Sequence, residues 1–402
     1  MDQRVDAKTG NNDNTNGKKE RRAARSKPSI TEISSAYDRV ALVLQGGGAL
    51  GAYQVGVYEA LAEAGCEPNW ISGVSIGAIN AALIAGNPPE LRLQRLTEFW
   101  ELISGRKVWH HTPEGDFFRE LRNQASAWMT LTMGQPGFFK PHGTSPWMQL
   151  PGAKGATSYY DSSALRDTLT RLIDFDLLND GEKRLSVGAV NVRTGNFAFF
   201  DTHDQRVEPE HIMASGALPP ALPMVRIDGE EYWDGGIVSN TPLQYLLEQD
   251  EDLSSLVFQV DLFSARGAIP RAMPEVMARH KDIMFSSRTR QNTDTFKRVH
   301  TLKMKLLDAL QRVPADQLKP GEKELIADYS DAGVINIVHL IYQHKTYESD
   351  AKDYEFSGTS MREHRLAGYE DTMRTLRHRE WLKAPESIAG IAVHDLHHDD
   401  PT

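Results

Sequence analysis

Arg39-Val40-Ala41-Leu42-Val43-Leu44-Gln45-Gly46-Gly47-Gly48-Ala49-Leu50-Gly51 decides how the rest of the chain is read. Its first six residues are almost all apolar and too few for a helix, which fits a strand buried on both faces. A glycine loop follows, then a helix-patterned stretch, 52–64, with apolar Val55, Val57, Leu61 and Ala62 and a stop at Gly65. Trp70-Ile71 begins a second short strand, and 76–85 a second helix that Gly86-Asn87-Pro88-Pro89 closes. Strand, helix, strand, helix at this spacing predicts an α/β fold with a central, mostly parallel sheet.

Outward from this core the pattern changes. Residues 1–37 read as a disordered polar tail with a basic run, Lys18, Lys19, Arg21, Arg22, Arg25 and Lys27 against Glu20. A solvated tail is the plain reading of such a run; a tether to anionic lipid is the sharper one, at about 1 kcal/mol per basic residue near the surface. Residues 89–160, irregular and rich in Trp, Pro and Gly, make a candidate cap. Strands are expected over 184–192, 196–201 and 256–263. From 266 to 390 the chain reads as a mainly helical extension, broken by a strand-like 334–342, and 391–402 as a disordered tail. The main domain is therefore 38–265.

Bulk numbers bound the function. The 402 residues are 40 % hydrophobic and 25 % charged, as expected of a globular chain. A net charge of −10 argues against nucleic acid as a partner. Cys66 is the single cysteine, so no internal disulfide forms and a reducing, cytoplasmic setting is the natural expectation. No stretch approaches the ~20 apolar residues of a spanning helix, and the polar start has no signal-peptide core. Contact with lipid would then be peripheral.

The chemistry gathers at Gly73-Val74-Ser75-Ile76-Gly77, between the second strand and second helix. In that context G-x-S-x-G is a nucleophile elbow: Gly73 and Gly77 allow a sharp turn, and Ser75 projects from the sheet end. The helix behind it points its positive end at any developing charge. The loop Gly46–Gly51 also fits the dinucleotide fingerprint G-x-G-x-x-G, which needs an acid closing the second strand. Here that strand runs instead into Ser72-Gly73, and Glu67 precedes it. Gly46, Gly47 and Gly48 are better read as N–H donors beside Ser75, an oxyanion hole whose donors are each worth about 10²–10³ in rate. A third signal, Asp234-Gly235-Gly236, places an acid at the end of a short strand.

A glycine loop after the first strand, G-x-S-x-G after the second and a late D-G-G together resemble the patatin-like phospholipase family. Gly51–Val57, Ser75–Ala81, Ala214-Ser215-Gly216-Ala217-Leu218-Pro219 and Asn240-Thr241-Pro242 strengthen the resemblance, which covers roughly 38–265. It implies a three-layer α/β fold and a Ser–Asp dyad: Ser75 as nucleophile, Asp234 as its direct base, with no metal or organic cofactor. The implied reaction is hydrolysis of carboxylic esters in lipids, with a lipid or fatty-acyl ester as substrate. Where many members carry Arg or Lys in the glycine loop, this chain has Leu50. An aspartate at its ordinary pKa of about 3.9 is a weak base, so Asp234 should sit where desolvation strengthens it. Three alternatives stand beside this reading. One is a Ser-His-Asp triad, for which His339 has the right chain order; another is a nucleotide-binding protein; the third is a catalytically weak lipid-binding scaffold.

Overall fold

The computed structural model describes residues 29–104, 116–249, 252–329, 333–343, 345, 348, 351–385 and 390–396. Its strands in chain order are β1 (Arg39–Leu44), β2 (Trp70–Val74), β3 (Lys140–Pro141), β4 (Tyr160–Asp161), β5 (Arg184–Asn191) and β6 (Phe197–Asp201). Then come β7 (Val225–Ile227), β8 (Glu230–Asp234), β9 (Ser255–Asp261), β10 (Ile335–Ile341) and β11 (Ile391–Asp395). The helices are α1 (Ile30–Ser34), α2 (Ala52–Glu63), α3 (Ile76–Ala85), α4 (Pro89–Ser104), α5 (Asp116–Met133) and α6 (Ser163–Leu172). They continue with α7 (Phe175–Asn179), α8 (Pro209–Ser215), α9 (Leu243–Glu248), α10 (Met273–Gln311), α11 (Pro320–Tyr329) and α12 (Gly358–Arg377).

Among the described residues nine strands form one sheet, in which β11, β10, β9, β1, β2 and β5 lie side by side and pair in parallel. Both faces of β1 are buried, as its composition requires. Val40, Leu42 and Leu44 join a core with Tyr53, Leu61, Ile79 and Trp100, whereas Ala41 and Val43 meet Leu243, Leu246 and Leu247 of α9 on the other side. Helices thus cover both faces of the sheet, making the expected three layers.

Three strands pair with β5, and this arrangement creates the site. β2 pairs with 184–188, β8 with 189–191, and β6 antiparallel with 186–190. Because β6 overlaps both of the others, it occupies one edge of β5 alone. β2 and β8 therefore share the opposite edge, end to end. Val74 ends β2 opposite Gly188, and Asp234 ends β8 opposite Ala189, one residue further along.

The structure departs from the sequence reading in three places. Residues 335–341 and 391–395 are not part of a separate extension and tail: β10 and β11 continue the main sheet beyond β9. Residues 30–34 of the expected N-terminal tail form α1, whose Ser29 and Glu32 make a reciprocal capping box; residues 1–28 and 397–402 lie outside the described residues. The first part of the candidate cap is core, because α4 buries a helical stripe of Leu96, Phe99, Trp100 and Ile103. α5 and the antiparallel β3–β4 pair remain peripheral to it.

Candidate active site

Ser75 follows the last residue of β2 with φ 56° and ψ −127°, a conformation that non-glycine residues rarely adopt. Strain of this kind is worth about 1–3 kcal/mol and persists only where the surroundings fix it. The fixing contacts are visible. The Ser75 N–H donates to the Ser215 hydroxyl at 2.9 Å, and that fully buried hydroxyl donates onward to the Gly188 carbonyl at 2.6 Å. Gly73 and Gly77 let the two arms of the elbow touch: a Cβ on Gly73 would lie 2.4 Å from the Gly77 carbonyl oxygen. The N–H groups of Ile76 and Gly77, in the first turn of α3, have no acceptor within the helix.

Asp234 is 2 % exposed, and the Ser75 side chain lies near enough to act on its carboxylate, without an intervening histidine. Its Oδ1 also accepts the Gly236 N–H at 2.7 Å, while its own N–H donates to the Ala217 carbonyl. Burial pushes its carboxyl up to about 7, against the opposing pull of the nearby Ser75 side chain and of the Gly236 N–H. Gly235 lies so close to β5 that a Cβ would stand 2.6 Å from the Gly188 carbonyl oxygen. The two chain ends that meet on β5 therefore deliver a hydroxyl and a basic carboxylate to one point.

The glycine loop completes the group with one correction. Gly46 abuts Ser75, but its N–H donates to the Asn240 carbonyl at 3.2 Å, and the Asn240 side-chain amide returns a 2.9 Å bond to the Gly46 carbonyl. Of the three expected oxyanion donors, only the half-exposed Gly47 and Gly48 keep N–H groups with no internal acceptor among the described residues. Gln45 ties the loop down: its side-chain amide donates to Thr241 and to the Phe285 carbonyl, and its Oε1 accepts the N–H groups of Leu262 and Phe263. Behind it, Trp100 donates to Asn80, and Asn80 donates to Gln54 and the Gly51 carbonyl, a buried chain joining α4, α3 and α2. Leu50 is fully buried in the core.

Other candidates fall elsewhere. His339 sits on β10, with β9 and β1 between it and β2, and its Nδ1 is 3.6 Å from Asp261. Burial pushes the Cys66 thiol up to about 12, which leaves it an inert core residue. Among the described residues no cluster of three His, Cys, Asp or Glu side chains is arranged to hold a metal. Ser215, Asn240, Gly188 and Gln45 carry no catalytic signature of their own. A glycine inside a strand, as at Gly188, is the one sequence signal of close backbone approach there.

Several known proteins are similar to this chain. A cGAMP-activated phospholipase of Pseudomonas aeruginosa is 35 % identical over 94 residues, which take in 21 % of this chain and 28 % of that protein. Among solved structures, VipD from Legionella pneumophila aligns over 90 % of this chain and 72 % of its own, at 15 % identity and a TM-score of 0.39. The type III effector ExoU aligns over 85 % and 53 %, at 14 % identity and a TM-score of 0.27. Residues 283–387 match a family described as patatin phospholipase. Residues 42–247, which hold the glycine loop, the elbow and Asp234, match the patatin-like phospholipase family, and the chain belongs to it.

Proposed function

We propose that this protein hydrolyses carboxylic ester bonds of lipids through a Ser75–Asp234 dyad. The observation that carries the reading is a buried carboxylate, at the end of β8, brought beside a serine held at a strained strand-to-helix turn at the end of β2. As Ser75 Oγ attacks the ester carbonyl, Asp234 takes its proton, and the N–H groups of Gly47 and Gly48 receive the oxyanion. Collapse of the tetrahedral intermediate expels the alcohol, which takes the proton from Asp234 and leaves an acyl-Ser75. A water then gives a proton to Asp234 as it attacks the acyl carbon. The second intermediate releases the fatty acid, and Ser75 recovers its proton.

The test is turnover of chromogenic esters of increasing acyl length by wild type, Ser75→Ala and Asp234→Ala. Both variants should lose at least about 10³-fold in kcat. An active Ser75→Ala sinks the dyad, and lipid binding without turnover in the wild type would favour the scaffold reading.

Access to a bilayer substrate is supported by one face of the molecule. Trp128 (70 % exposed), Trp147 (86 %) and Leu150 (80 %) project there together with Leu131 and Met148. Tyr160 Oη donates to the Leu131 carbonyl at 2.6 Å, and Trp147 Nε1 to Tyr159 Oη, which joins these pieces. The N–H groups of Tyr159 and Tyr160 donate to the carbonyls of Pro220 and Ala221, in the loop that follows α8. Trp and Tyr suit the interfacial zone of a membrane. Among the described residues no helix is long and apolar enough to cross one, so this contact is peripheral in our reading. Trp147→Ser with Leu150→Ser should lower hydrolysis of vesicle lipid relative to a soluble ester by about tenfold; an unchanged ratio removes this face from the proposal. A reducing, cytoplasmic setting suits a chain whose one cysteine, Cys66, is a buried free thiol.

A further inference from the structure

Each residue of the glycine loop is held by a different part of the chain. Asn240 brackets Gly46. Leu262 and Phe263, just after β9, leave no room beside Gly47, where a Cβ would stand 2.7 Å from Leu262 Cδ1. The third support comes from far along the chain. The Ala49 N–H donates to the Asp353 carbonyl at 2.9 Å, and the same oxygen lies 2.2 Å from where a Cβ on Gly48 would be. Gly48 has φ +55°, so glycine is required there for its backbone as well as its size.

What holds the Asp353 carbonyl against the loop is a reciprocal pair of ion pairs. Lys281 and Asp282 are consecutive on α10, and Lys352 and Asp353 are consecutive in the segment before α12. Lys281 Nζ meets Asp353 Oδ1 at 2.7 Å, and Lys352 Nζ meets Asp282 Oδ1 at 2.6 Å, all four side chains being largely or fully buried. The ammonium groups also lie over rings, Lys281 over Tyr354 at 4.9 Å and Lys352 over Phe263 at 5.6 Å. Phe263 also reaches the Gly47 position, and its ring lies tilted against that of Phe285 of α10 with centroids 4.9 Å apart. Opposite signs at both positions fix the register of the segment against α10, because a slip of one residue would bring like charges together.

We propose that Asp353 is a positioning residue for the oxyanion-binding loop: its carbonyl orients Gly48 and Ala49, and the Lys281–Asp353 and Lys352–Asp282 pairs set that carbonyl in place. The proposal rests on the hydrolase reading of Ser75, and it gives the part of the chain beyond 266 a role in the chemistry. Asp353 touches neither substrate nor Ser75, so its effect passes through the N–H groups of Gly47 and Gly48.

The test compares wild type, Asp353→Asn, and the reversed pair Lys281→Asp with Asp353→Lys, on a soluble chromogenic ester and by hydrogen exchange over residues 46–50. Asp353→Asn should lower kcat by about ten- to a hundredfold, leave KM within about twofold, and speed exchange across the loop. The reversed pair should recover most of both losses, which a general loss of stability would not allow. Wild-type kcat in Asp353→Asn overturns the proposal, and so does a loss of kcat with unchanged exchange. Should wild type hydrolyse no ester, the hydrolase reading fails separately, and exchange alone decides whether Asp353 positions the loop.

Discussion

At Asp234, two effects oppose each other and burial wins. Taking the carboxylate out of water disfavours its charge, and the Gly236 N–H and the nearby Ser75 side chain restore part of it. In the proposed dyad the acid must be ionised to accept the serine proton. The acidic limb of kcat/KM should therefore inflect near pH 7, where a solvated aspartate would give an inflection near 4. The sign for stability is the reverse. A carboxyl raised in the folded state binds more protons there than in the unfolded chain, so the fold loses stability as pH climbs from about 4 to about 7. Asp234→Asn should be inactive, yet at pH 8 more stable than wild type by about 1–2 kcal/mol, and no more stable at pH 4; denaturant titration at both pH values decides it. Ser75 and Asp234 were legible as candidates because the signal lies in side-chain identity and in the turn residues beside them. The capture of the Gly46 N–H by Asn240 was not, since a bond between two main chains leaves no trace in residue type.

Between residues and the whole molecule, the crossing of α2 and α12 shows what glycines inside helices accomplish. A Cβ on Gly56 would stand 1.8 Å from the Arg365 carbonyl oxygen, and one on Gly368 2.0 Å from that of Tyr53. The helix backbones are in contact, fastened by two bonds from Arg365 to Glu59 and one from Tyr53 to Asp371. Gly368→Ala should improve the intrinsic propensity of α12 by up to about 1 kcal/mol, yet destabilise the protein by about 1–3 kcal/mol through overpacking. A midpoint in urea equal to or above wild type would contradict this contact. Periodicity located α2 and its stop well: the expected 52–64 became Ala52–Glu63, and Gly65 has φ +69°. Periodicity carries no information on partners, so neither this crossing nor the sharing of one edge of β5 by β2 and β8 could be read from the sequence.

Across the molecule, the largest difference from expectation is that one sheet holds strands from both ends of the chain. The run 334–342 was legible as a strand from its apolar residues, but its place beside β9 depends on a long crossover that local pattern cannot specify. Because β9 and β10 pair along seven residues, with β11 beyond, the stretch 266–390 belongs to the same folding unit as the elbow. This placement gives the Asp353 carbonyl a consequence in time. Roughly 300 residues separate Ala49 from Asp353, so at about 5–20 residues per second of synthesis the loop waits some 15–60 s for that support. A nascent chain arrested between Asp234 and Asp353 would already hold Ser75 and Asp234, but not the carbonyl that lies against Gly48 and Ala49. If the proposed hydrolysis holds, such arrested chains should show little esterase activity until synthesis has passed Asp353.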